Sequence, residues 1–172
     1  MALAALLTLV ATLTFLTTRG PTSTSRPPCQ VTAGPRTYRL DRDQAANAMV
    51  ITDAAKELGL PHHAVTVAIA AALQESLLHN LDYGDRDSLG LFQQRPSQGW
   101  GSPTQILNPR YAALAFLRAL TQVDQWQTMT VNAAAQRVQR SATPTVYANS
   151  EMEARAIARA TTGELPGTLT CE

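Results

Sequence analysis

Ala64-Val65-Thr66-Val67-Ala68-Ile69-Ala70-Ala71-Ala72-Leu73-Gln74-Glu75-Ser76 is the stretch from which the fold is read. Its first ten residues carry one polar side chain, Thr66. Pro61 suits the first turn of a helix, where a missing N–H costs nothing, and the pattern predicts a helix from Pro61 to about Leu78. A helix that is apolar nearly all round must be covered on several sides. It is therefore expected at the buried centre of the domain. Glu75 ends the apolar run, so its carboxyl borders a dry core, where desolvation penalises the charge. Such a group is expected to hold its proton near neutrality, the state a general acid needs to break a glycosidic bond. The competing reading is a glutamate that stretches from the helix end into water.

The surrounding sequence supplies the covering helices. Asp41 and Asp43 are caps for a helix through Leu58, which Gly59 stops. Ala45, Ala48, Met49, Ile51, Thr52 and Ala55 share one broad face of it. Pro109 opens a further helix with Ala112, Ala113, Ala115, Phe116, Leu117 and Leu120 on its core side. Others are expected over Val131–Arg140 and Thr145–Ala160, the last stopped by Gly163 and Pro166. Alternating β-branched runs are not evident. The fold class expected for residues 41–172 is mostly α, with at most a small β element in the aperiodic loop Asn80–Pro103.

Composition bounds the function classes. Of 172 residues 45% are hydrophobic and 16% charged, and the formal charge of +1 offers no basic face for nucleic acid. Lys56 is the one lysine among 14 basic residues, an arginine bias that points to a GC-rich, actinobacterial genome. Residues 1–18 hold an uncharged apolar leader, Ala2–Leu16, and are read as a signal peptide or a membrane anchor. Residues 19–40 read as a linker rich in Pro, Ser and Thr, in which Pro27-Pro28 and Gly34-Pro35 are expected to forbid regular structure. Either fate of the leader puts the domain outside the cytoplasm, secreted or tethered to the membrane. Cys29 and Cys171 bracket the domain, and in that setting a disulfide between them is expected over two unrelated thiols.

The chemistry clusters after Glu75. Asp82-Tyr83-Gly84-Asp85-Arg86-Asp87-Ser88 leads into Gly90-Leu91-Phe92-Gln93, with Trp100 close behind. Gly90 permits close approach of the backbone, Gln93 presents a donor and an acceptor on one plane, and Trp100 offers a flat face on which a sugar stacks. Taken together, Glu75-Ser76, Gly90-Leu91-Phe92-Gln93, Asn108-Pro109-Arg110-Tyr111-Ala112 and the segment from Ala134 to Tyr147 resemble the lysozyme-like soluble lytic transglycosylases of the goose-type lysozyme superfamily. The version here is similar to modules of actinobacteria and their phages. The family's late Ala-Tyr-Asn stands here as Arg137-Val138-Gln139, so the ring that holds the carboxyl in the family is missing from that position; either Tyr147 takes over or activity is weak.

The resemblance implies a lysozyme-like helical fold and cleavage of peptidoglycan between MurNAc and GlcNAc. Glu75 would be the catalytic acid and then base. Ser76, Gly90, Leu91, Phe92, Gln93, Trp100, Gln139 and Tyr147 would bind substrate or shape its cleft. Glycan strands are the expected partner and a monomer the expected state, with no cofactor and no metal. A Ca²⁺ site from Asp82, Asp85 and Asp87 lacks the spacing and terminal Glu of an EF-hand. Two alternatives stand beside this reading. Asp85 or Asp87 could serve as a second carboxylate in a hydrolytic, goose-type-like muramidase, or the chain could be a tethered cell-wall-binding module without turnover.

Overall fold

The structure, a computed structural model, describes residues 28–141, 143–164 and 167–171. The leader, the first part of the linker and Pro166 lie outside the described residues. Six α-helices and a three-stranded sheet make up the domain: β1 (Cys29–Ala33), β2 (Arg36–Leu40), α1 (Arg42–Glu57), α2 (His62–Ser76), α3 (Pro103–Ile106), α4 (Pro109–Thr121), α5 (Val131–Gln139), α6 (Glu151–Thr162) and β3 (Gly167–Cys171). No described helix is long and apolar enough to cross a membrane.

α2 is the axis of the fold. Every residue from Ala64 to Leu73 is buried, and α1, α4, α5 and α6 all pack on it. Its alanines make this possible, because a side chain of one methyl lets neighbouring helices close in from several directions. Thr66 is accommodated within the helix, its hydroxyl donating to the His62 carbonyl at 3.2 Å. The flanking helices bury most of the predicted faces, although Met49 is exposed and Ala115 half-buried, and the helix expected over Thr145–Ala160 is a 3₁₀ stretch, Val146–Ser150, followed by α6. Asp41 caps α1 in a reciprocal box with Gln44, and Asn108 caps α4 just before Pro109.

The β structure departs from expectation in place and extent. Cys29–Leu40 is not linker but an antiparallel hairpin, and β3 completes the sheet in the order β2-β1-β3. Gly34-Pro35 does not abolish the strands. It forms the two-residue loop between them, with Gly34 at φ +59°, since glycine first in such a loop supplies the needed backbone. Cys29 and Val31 face the core while Gln30 and Thr32 face out, a short alternation that the sequence reading missed. The expected β element in the Asn80–Pro103 loop amounts to a single bridge, Leu89 with Gln94. α3 follows directly at the end of that loop, where no helix was expected.

Cys29 stands opposite Cys171 in the sheet register, and the two form a disulfide across 142 residues. The bond joins the two ends of the described domain and indicates an extracytoplasmic location.

Candidate active site

Glu75 sits in the last turn of α2, where the helix is halted abruptly. Leu77 and Leu78 both adopt left-handed backbone, at φ 53° and 62°. This conformation costs a non-glycine residue on the order of 1–3 kcal/mol, so neighbouring structure has to enforce it. Gln44 of α1 donates to the Leu77 carbonyl at 2.8 Å and Asn47 to the Leu78 carbonyl at 2.7 Å. The Leu78 side chain is fully buried, while Leu77 remains 65% exposed. The stop fixes where the half-buried carboxyl of Glu75 emerges.

It emerges into a cleft of about 980 Å³. Gln93, Trp100, Val138 and Gln139 share its walls with Glu75, and Asp85, Arg86, Arg95, Arg137 and Arg140 supply its charges. The Gly-Leu-Phe-Gln segment therefore reaches the same place as Glu75, but its residues divide the work differently from the expectation. The backbone of Leu89 and Gln94 pairs at 2.9 and 3.0 Å, so Gly90 to Gln93 forms a hairpin tip. Leu91 and Phe92 are buried in the core, and Phe92 stacks on Phe116 of α4 with centroids 4.6 Å apart. Gly90 is buried against α3, at φ +75°, where an added Cβ would lie 2.7 Å from the Ile106 carbonyl oxygen. Gly90, Leu91 and Phe92 thus anchor the tip rather than face a ligand, because their apolar surface is worth more in the core.

Ser76 is likewise a latch. Its buried hydroxyl lies 2.8 Å from the Leu91 carbonyl and 3.1 Å from that of Ala72, and it donates its one proton there instead of into the cleft. Gln139 lines the cleft, yet its amide donates to the Phe92 carbonyl at 2.9 Å. The side chains of α2 and α5 thereby hold consecutive carbonyls of the tip. Gln93 does point to the cleft, at φ 46°. Its NH₂ group donates to the Tyr83 and Gly90 carbonyls at 3.2 and 3.3 Å, which leaves its carbonyl oxygen as the acceptor. Gly84 makes room for that oxygen, since a Cβ at 84 would come within 1.9 Å of it. The half-buried Trp100 faces the cleft from the far side of the loop, its own carbonyl accepting from Tyr111 at 3.2 Å.

Tyr147 provides the contact that organises the carboxyl. Its O–H donates to Glu75 Oε1 at 2.7 Å, and its ring is fully buried. Burial, and then the adjacent Glu75 carboxyl, push the phenol far above its ordinary range, so it remains a donor. Asn132 of α5 sets this geometry by accepting from the backbone N–H groups of Tyr147 and Ala148 at 3.1 and 3.2 Å. Asn132 and Gly84 escaped the sequence reading, since neither carries a local signal that separates it from an ordinary polar or turn residue. Tyr147 supports the carboxyl and is a positioning residue rather than one that contacts sugar. With Oε1 engaged, Oε2 is left for a ligand in the cleft.

The two candidate second carboxylates separate clearly. Asp87 is bound by the Arg95 guanidinium at 2.7 Å and the Ser97 N–H at 2.8 Å, which hold it well below the usual carboxylate range. It braces the loop and lies outside the cleft lining. Asp85 is on the cleft wall and 90% exposed, 3.9 Å from Arg86. No protein-family model matches the chain, and no curated protein matches it.

Proposed function

We propose that this chain cleaves peptidoglycan glycan strands by a lytic transglycosylase mechanism. The observation that carries the proposal is the Glu75 carboxyl in the lining of a cleft, held on one oxygen by a buried tyrosine and, among the described residues, with no hydrogen bond on the other. A single positioned carboxyl can act twice in such chemistry. Glu75 Oε2–H protonates the glycosidic oxygen between MurNAc and GlcNAc, and the C1–O bond breaks. The N-acetyl group of the muramyl residue spreads the oxocarbenium charge. The resulting carboxylate then takes the proton of the same sugar's 6-hydroxyl as that oxygen bonds to C1, which closes a 1,6-anhydro ring and restores Glu75. The Gln93 carbonyl oxygen suits an acetamido N–H, and Trp100 suits a sugar face.

Asp85 on the same wall supports a second reading, in which that carboxylate activates water and the products are hydrolytic. Digestion of purified peptidoglycan followed by mass spectrometry separates the two. Anhydromuramyl ends, absent with Glu75→Gln and retained with Asp85→Asn, are the expected result. Reducing ends that vanish with Asp85→Asn would establish the hydrolytic reading instead. Tight binding without any cleavage by the wild-type chain would leave a wall-binding module.

A further inference from the structure

Four arginines line the cleft against two carboxylates, Glu75 and Asp85, although the whole chain carries a formal charge of only +1. Two of the four are accounted for: Arg86 faces Asp85 and Arg95 is bound to Asp87. Among the described residues neither Arg137 nor Arg140 pairs with a carboxylate. Both are exposed, and Arg140 holds a left-handed backbone at φ 54° just beyond the end of α5.

Their position is informative. A second cavity of about 750 Å³ adjoins the first, and Arg137 and Arg140 line both, together with Gln122 and Val123. The cleft is thus branched, with the two guanidinium groups at the fork and Asp124 as the one carboxylate in the side arm. A linear neutral polymer requires only a single groove. A glycan strand is neutral along its sugars, but each muramyl residue bears a peptide branch that carries carboxylates. Arginine is the side chain best suited to grip a carboxylate, through two parallel hydrogen bonds.

Resting on the reading of peptidoglycan as substrate, we infer that the side arm receives the peptide stem and that Arg137 and Arg140 bind its carboxylates. The chain then acts preferentially on strands whose stems are present and unamidated, and the preference weakens with salt.

The test measures binding of a soluble disaccharide-peptide with free carboxylates and of its carboxamide counterpart, using the wild-type chain, Glu75→Gln, and the pair Arg137→Gln/Arg140→Gln. Expected is at least tenfold tighter binding of the acid form by the wild type and by Glu75→Gln. The arginine pair should lose that discrimination and bind the acid and carboxamide forms equally. Asp124→Asn, which alters the arm in the opposite sense, should tighten the acid form about twofold. Equal binding of acid and carboxamide forms by the wild type, or full retention of discrimination by the arginine pair, overturns the inference. So does competition by inorganic phosphate as strong as by the acid form, which would mark a general anion site. Cleavage of peptidoglycan without discrimination sinks the stem site and leaves the proposed activity standing. Discrimination without cleavage does the reverse.

Discussion

Tyr147 acts through the Glu75 carboxyl that it holds. Tyr147→Phe keeps the buried ring and removes only the donor to Glu75 Oε1. On the proposed function, peptidoglycan cleavage is expected to fall about 10–100-fold, or about 1.4–2.7 kcal/mol of barrier, while the melting temperature moves by only a few degrees. An equal loss of activity and fold would show the phenol to be merely structural. The sequence pointed to Glu75 because an acid at the end of an apolar run is conspicuous. It pointed to Tyr147 only through a resemblance, since 72 residues separate the ring from the carboxyl and no local pattern spans that distance. The latch role of Ser76 and the burial of Leu91 and Phe92 were not legible, because adjacency in a motif says nothing about which way a side chain points.

At the scale of elements, α1 supports the site through its start and its buried face. Asn47→Ala would leave the buried Leu78 carbonyl without its partner, at a cost of about 1–3 kcal/mol, and denaturant titration should show it. Asp41 caps α1 and also meets His79 at 2.8 Å. Burial pushes its carboxyl up, but the Gln44 N–H and His79 outweigh this and hold it below its ordinary value near 3.8. A depressed carboxyl stabilises the fold above that value and ceases to as the pH falls through its folded pKa. The stability gap between wild type and Asp41→Asn is therefore expected at pH 7 and should close below about pH 4, as paired denaturation curves at the two pH values will show. The long helices were legible because periodicity agreed with aspartate caps and helix-opening prolines. The sheet was not, because five-residue strands flanked by Gly-Pro carry the same composition as a linker.

Across the whole molecule the disulfide is the longest-range constraint. Its pairing was legible from two cysteines and a leader, although its seat within a sheet was not. Reduction, or Cys29→Ser with Cys171→Ser, is expected to lower stability by about 2–5 kcal/mol, measured by thermal unfolding with and without reductant. Activity at low temperature should survive, since the bond lies in the sheet and neither cysteine lines the cleft.

The hairpin tip has a mechanical meaning of its own. Ser76 of α2 and Gln139 of α5 grasp adjacent carbonyls, those of Leu91 and Phe92. The tip is thus pinned to two helices that pack on each other, so its place beside Glu75 is set by the fold itself. On the proposed function, the rim beside the carboxyl is then expected to have the same form in the free chain and in the chain holding a glycan.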